Sequence, residues 1–134
     1  MALLADTSVW SLAFRRDTPQ KPSEVVELRD ALLGGEDVVT VGVVLLELLR
    51  GSVPQRTRDA IQFAFDRLRF VEPTRDDYPA AAALSNACRS AGVQLATVDA
   101  LIAQVCIAND LVLLTTDADF KHASEHVPLR VWFS

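Results

Sequence analysis

The chain has little that would staple, anchor or broadly charge it. Its 134 residues include only two cysteines, Cys88 and Cys106, each in an alanine-rich apolar setting and without Cys-x-x-Cys spacing. That excludes a disulfide framework and a thiolate zinc site, and leaves both as small core residues. No long apolar run is present. Charge-free stretches such as Val38–Leu46 and Ala100–Asn109 fall far short of the roughly 20 residues that span a bilayer. The start, Met1-Ala2-Leu3-Leu4-Ala5-Asp6, has no basic leader and meets an aspartate after a short apolar run, unlike a signal peptide. The expectation is a cytoplasmic protein with no membrane contact. Positive charge is also scarce: 13 Lys and Arg stand against 18 Asp and Glu, a net charge of −5. Binding nucleic acid through the overall field is thereby excluded, and only local arginines remain for that task. Repeats and low-complexity tracts are absent too.

What is present suffices for one core. A mass of 14.7 kDa corresponds to roughly 21,000 Å² of unfolded surface and about 7,000 Å² folded, so residues 1–134 read as a single domain. Half of the residues are hydrophobic and 23% are charged, which excludes global disorder. The apolar pattern alternates short buried strands with helices. Leu3 to Ala5 reads as a strand, followed by a helix through Trp10 and Phe14, and Arg15 to Lys21 as a loop. Ser23 caps a helix with Val25, Leu28 and Leu32 on one face, closed by Gly34-Gly35. Val38 to Thr40 is a strand, and Val43, Val44, Leu46, Leu48 and Leu49 crowd almost every face of the next helix, which predicts that it is largely buried. A helix from Pro54 carries Ile61, Ala64, Phe65 and Leu68, and the phenylalanines Phe63 and Phe65 are assigned to the core. A short strand at Phe70-Val71, helices over Asp76 to Ala91 and from Thr97, and strands at Leu111 to Leu114 and Leu129 to Phe133 complete the chain, with a short helix after Asp117. The fold class is therefore α/β, a three-layer α/β/α sandwich around a parallel sheet of four to five strands. In such sheets ligands lie beyond the carboxyl ends of the strands, at a switch point in strand order.

Acidic residues fall at that edge. Asp6 closes the first strand and Asp117 follows the strand Leu111 to Leu114, with Asp119 two residues on. Glu47 is embedded in Val43-Val44-Leu45-Leu46-Glu47-Leu48-Leu49, and Asp99 sits in the first turn of an apolar helix. Each has a plain structural explanation. Asp6, Asp99 and Asp117 can cap helices, and Glu47 can pair with Arg50 one turn away. Together they are harder to explain, because converging carboxylates repel unless cations or protons neutralise them. No Lys or Arg lies within several residues of Asp6 or Asp99, although Lys121 is four beyond Asp117. Oxygen-only ligands without His or Cys select Mg²⁺, with Mn²⁺ as a substitute, and point to phosphoryl chemistry. Two such ions about 4 Å apart can activate water for in-line attack on a phosphodiester. A phosphatase or an aspartyl-phosphate receiver needs an Asp-x-Asp motif after the first strand or a paired acidic cluster with a late-strand lysine, and Asp6-Thr7-Ser8 offers neither.

Four motifs in order, Leu4-Ala5-Asp6-Thr7-Ser8, Leu46-Glu47-Leu48-Leu49-Arg50-Gly51, Thr97-Val98-Asp99-Ala100-Leu101-Ile102-Ala103 and Leu114-Thr115-Thr116-Asp117-Ala118-Asp119-Phe120, resemble the PIN domain. Length and spacing are similar to the VapC toxins of type II toxin–antitoxin pairs over essentially the whole chain. The resemblance implies a Mg²⁺-dependent endoribonuclease inhibited by a small VapB-like antitoxin, an Arg or Lys of which could take the metal position. It also implies a homodimer and a toxin–antitoxin hetero-oligomer. Its acidic site maps onto Asp6, Glu47, Asp99 and Asp117, with Asp119 auxiliary, and its hydroxyl positions onto Thr7, Thr97 and Thr115. On that mapping Asp6, Asp99 and Asp117 hold metal directly or through water, while Glu47 binds the ion or orients the attacking water. RNA is expected to approach past Arg15, Arg16 and Arg50, the arginines nearest the motifs. The competing reading is a catalytically silent PIN-like module that binds RNA or protein.

Overall fold

A computed structural model describes residues 1–15 and 21–133. Arg16 lies outside them. Five short strands, β1 (Leu3–Ala5), β2 (Val38–Thr40), β3 (Arg69–Phe70), β4 (Val112–Leu114) and β5 (Arg130–Val131), form one sheet in the order β3-β2-β1-β4-β5. Every pairing is parallel, with Leu4 of β1 opposite Val39 on one side and Leu113 on the other. β1 and β2 are buried along their whole length, as unbroken β-branched and leucine runs require when both sheet faces are covered.

Among the described residues seven helices connect the strands: α1 (Thr7–Ala13), α2 (Ser23–Leu33), α3 (Gly42–Leu49), α4 (Gln55–Phe65), α5 (Asp77–Ser90), α6 (Thr97–Ala108) and α7 (Ala118–Ala123). The chain steps outward from β1 to β2 to β3, then returns across the sheet to β4 and β5. Right-handed crossovers therefore place α1 to α4 on one face and α5 to α7 on the other, giving the three-layer α/β/α sandwich. Packing agrees: α1 contacts α2 and α3, α3 contacts α4, and α5 lies along α6. The reversal of direction sets the switch point between β1 and β4, where the two connections leave a crevice. Asp6 and the segment Thr115–Asp117 leave the sheet at that point. The folded chain exposes 7567 Å², close to the value expected from its mass.

The structure corrects several local expectations. Ser23 is the first residue of α2 and not its cap; Pro22 holds the cap position and no side chain bonds there. α3 is not buried all round, because Val44 and Leu48 face the core while Leu46 is 63% exposed. Eight residues make just over two turns, too short for every apolar side chain to find the core. Leu32 stands half out of the α2 face, and Phe63 is 63% exposed with the Arg67 guanidinium 3.6 Å above its ring. Phe65 does enter the core and packs on Trp10 at 4.8 Å between ring centres. The last strand is confined to two residues. Both cysteines are free and buried, and burial drives the Cys106 thiol up to about 12. Thiol chemistry is thereby suppressed.

Leu113, at the centre of the sheet and fully buried, should cost about 2–5 kcal/mol when cut to alanine. Leu46→Ala should stay within about 0.5 kcal/mol. Urea unfolding of the two variants checks the contrast.

Candidate active site

Asp6 is the centre of the constellation. As the cap of α1 its main chain is extended, and its side chain accepts from the Val9 amide at 3.3 Å. The capping explanation is thus true of Asp6, yet it accounts for one contact among three. The same oxygen, Oδ1, accepts from the Ser8 hydroxyl at 2.6 Å, and Oδ2 accepts from the Thr115 hydroxyl at 2.5 Å. Asp6 is only 4% exposed. Burial pushes its carboxyl above the ordinary 3.8, the Ser8, Thr115 and Val9 hydrogen bonds oppose that rise, and the charge of Asp117 adds to it.

Two hydroxyls couple β1 to the loop after β4. Thr115 Oγ1 donates to Asp6 and accepts from the Asp117 amide at 3.0 Å, while Ser8 Oγ donates to Asp6 and accepts from the Thr116 amide at 3.2 Å. The Asp6 amide itself donates to the Leu114 carbonyl at 3.0 Å, carrying the β1–β4 ladder one residue past the strand. Ser8 was not among the site residues inferred from sequence. A serine two residues after a capping aspartate is a local turn signal, and nothing in the sequence shows that its oxygen also meets Thr116.

Asp117 caps α7 by accepting from the Asp119 amide at 2.9 Å, so its structural explanation also holds in part. Asp119 itself is exposed. Glu47 does not pair with Arg50. Its Oε1 accepts from the Thr7 hydroxyl at 2.7 Å, tying α3 to the first turn of α1, and Oε2 has no protein partner among the described residues. Asp99 occupies the first turn of α6 behind Ala96, which offers no side-chain cap. It is half-buried, and no hydrogen bond to its carboxylate occurs among the described residues.

Electrostatics brings these groups into one site. Asp99 is driven up to about 6, first by burial and then by the charges of Asp117, Asp6, Glu47 and Asp119. The other four acidic residues inferred from sequence therefore all act on Asp99. Lys121 turns away from Asp117 and pairs with Glu24 at 3.7 Å; no ion pair to the five exists among the described residues. Thr7 and Thr115 bond to cluster carboxylates, whereas Thr97 is simply the exposed first residue of α6. Arg15 and Arg50 are exposed and make no side-chain bond to the acidic groups among the described residues.

Among the described residues no three acidic, His or Cys side chains are gathered closely enough to hold a metal ion together. The donor set nevertheless fits a hard divalent ion, being all oxygen and uncompensated by cations. Mg²⁺ in particular keeps several waters and needs only one or two direct carboxylates.

The raised Asp99 carboxyl sets a sign for stability. An acid that is harder to ionise in the folded chain contributes stability that is complete below about pH 3.8 and lost as pH rises through about 6. Asp99→Asn, which cannot ionise, should therefore raise the thermal midpoint of the metal-free protein at pH 7 and confer no advantage at pH 4. Thermal unfolding in EDTA across that range checks it, and an unchanged or lower midpoint at pH 7 would contradict it.

Comparison with known proteins follows the same geometry. A chain of VapBC2 from Rickettsia felis, in a structure bound to a DNA fragment from its promoter, superposes with a TM-score of 0.77 at 17% identity, covering 98% of each chain. A chain of VapBC-1 from nontypeable Haemophilus influenzae gives 0.74 at 18% identity, covering 98% of this chain and 97% of that one. One from FitAcB of Neisseria gonorrhoeae gives 0.72 at 20% identity, with 98% and 96% covered. At these identities the likeness establishes the fold. No curated protein matches the chain. The family model of the PIN domain matches residues 3–126, and the chain belongs to the PIN domain family.

Proposed function

We propose that the protein is a Mg²⁺-dependent endoribonuclease, the VapC-type toxin of a type II toxin–antitoxin pair acting in the cytoplasm as a single domain over residues 1–134. The observation that carries this reading is the acidic edge at the β1–β4 switch point, where Ser8 and Thr115 fix Asp6 and Thr7 fixes Glu47, with no ion pair to the acids among the described residues. Such an arrangement is more stable at neutral pH with a neutralising ion than without one. Asp6, Asp99 and Asp117 would hold Mg²⁺ or Mn²⁺, directly or through water, with Asp119 as an outer carboxylate. When bound, the ion supplies charge neutralisation and activation of water for in-line attack at phosphorus.

The chain's own residues then have distinct tasks. Ser8 and Thr115 donate to the two oxygens of Asp6 and fix the carboxylate in one orientation. Thr7 holds Glu47 through Oε1, which leaves Oε2 to orient the attacking water and take its proton. Arg15 and Arg50, exposed and near the acidic motifs in sequence, are assigned to the RNA backbone.

A VapB-like partner fits a second feature. Trp10 floors a groove between α2 and α4, edged by Leu32 and Phe63 and rimmed by Glu36, Asp37, Arg67 and Arg69, and its buried indole N–H has no hydrogen-bond partner among the described residues. Similar folds occur in VapBC assemblies, which supports a toxin–antitoxin hetero-oligomer, and with it a homodimer of the toxin.

Purified, antitoxin-free protein should cut total cellular RNA at discrete positions with Mg²⁺ or Mn²⁺. Cleavage should stop in EDTA, and Asp99→Ala should lower it at least 100-fold while remaining folded. Mapping the cut ends by sequencing checks both. Folded, metal-supplied protein that cuts no RNA would instead favour a silent binding module.

A further inference from the structure

Beside the acidic cluster, along the seam between α5 and α6, lies a cavity of about 370 Å³, within the size range of small-ligand sites. Its floor is apolar, built from Ala82, Val98 and Leu101 among others, and no lining residue carries a charge. Tyr78 stands at its side with 56% of its surface exposed. Ser85 and Asn86 add a hydroxyl and an amide. The Ser90 hydroxyl bonds to the Asn86 main-chain carbonyl at 3.0 Å and leaves the side-chain amide unengaged.

The position of this cavity is as informative as its lining. Val98 and Leu101 share a face of α6, and Asp99 follows Val98 by one residue, about 100° round the same first turn. A group held at the carboxylates and a group held in the cavity would therefore sit on adjacent faces of one helical turn. The two compartments differ in chemistry, one densely anionic and one neutral. A nucleotide has the same division: a phosphate that needs a cation, and an uncharged planar base. Exposed aromatic rings stack on unpaired bases, and hydroxyl and amide groups read their edges.

We propose that this cavity is a base-binding slot that takes one unpaired nucleobase of single-stranded RNA next to the phosphate at the acidic cluster. The slot rests on the nuclease reading and extends it to how the substrate is positioned. Tyr78 supplies the stacking face, and Ser85 and Asn86 contact the base edge. The absence of charge in the lining argues against a phosphate in the slot, and the adjoining carboxylates tie it to the same strand.

The test is a thermodynamic cycle on binding, so that it does not depend on turnover. Wild-type protein, with Ca²⁺ in place of Mg²⁺ to hold the phosphate without turnover, is titrated with a labelled oligoribonucleotide that it cleaves in Mg²⁺, and with versions carrying one abasic residue at successive positions. Tyr78→Ala, and Leu101→Trp to fill the cavity, are compared in the same background, with thermal unfolding confirming that each folds. Loss of one stacked base corresponds to a roughly 5- to 100-fold weaker affinity. One abasic position should show that loss, and in Tyr78→Ala the same substitution should then have little further effect. Affinity that is insensitive to abasic substitution, to Tyr78→Ala and to Leu101→Trp overturns the slot and leaves the nuclease intact. A change of oligomeric state in both variants without loss of RNA affinity also overturns it, and makes the seam an interface between copies. If the wild type neither cleaves nor binds any RNA, the nuclease reading fails first and the slot with it.

Discussion

The Thr115–Asp6 hydrogen bond, 2.5 Å between β4 and β1, is the point on which the functional edge depends. It spans the place where strand order reverses, and it holds a buried carboxylate that burial alone would force toward its neutral form. Removing the hydroxyl would leave an acid in apolar surroundings beside another acid, a costly arrangement. Ser8 repeats the device on the other oxygen. The two hydroxyls also accept from the Thr116 and Asp117 amides, so the loop after β4 is pinned to the start of α1 through Asp6.

From that anchor the remaining acids are placed by helices of both layers. α3 presents Glu47 from one side of the sheet and α6 presents Asp99 from the other, while Asp117 arrives with β4. The charges of Asp6, Glu47 and Asp117, from three other segments, thus act on Asp99, and no ion pair to Lys or Arg offsets them among the described residues. Charge density of that kind opposes folding at neutral pH in the absence of a cation. A fold that keeps such an arrangement accepts lower stability of the metal-free state at a functional site.

Much of this was legible in the sequence, for identifiable reasons. Leu3–Ala5, Val38–Thr40 and Val112–Leu114 are short and made almost entirely of aliphatic or β-branched residues, so their burial and parallel pairing followed from composition. Asp6 and Asp117 could be placed at one edge because each closes a strand. Glu47 stood out as the one charge inside an apolar helix. Three features were not legible. The exposure of Leu46 depends on how few turns α3 has to reach the core, and that of Phe63 on Ile61 and Phe65 taking the core face of α4. The cap of α2 falls on Pro22 because Ser23 already has helical geometry. The second bond of Ser8 joins residues 108 positions apart, and no local pattern encodes it.

The central claim is that the carboxylates at the β1–β4 switch point hold a divalent ion. Anomalous diffraction from crystals of the protein grown with Mn²⁺ tests it most directly. The account predicts a peak within bonding distance of Asp6, Asp99 or Asp117, lost in Asp99→Asn crystals or displaced from that residue. A Mn²⁺ bound only elsewhere, with no peak at Asp6, Asp99 or Asp117, would contradict it.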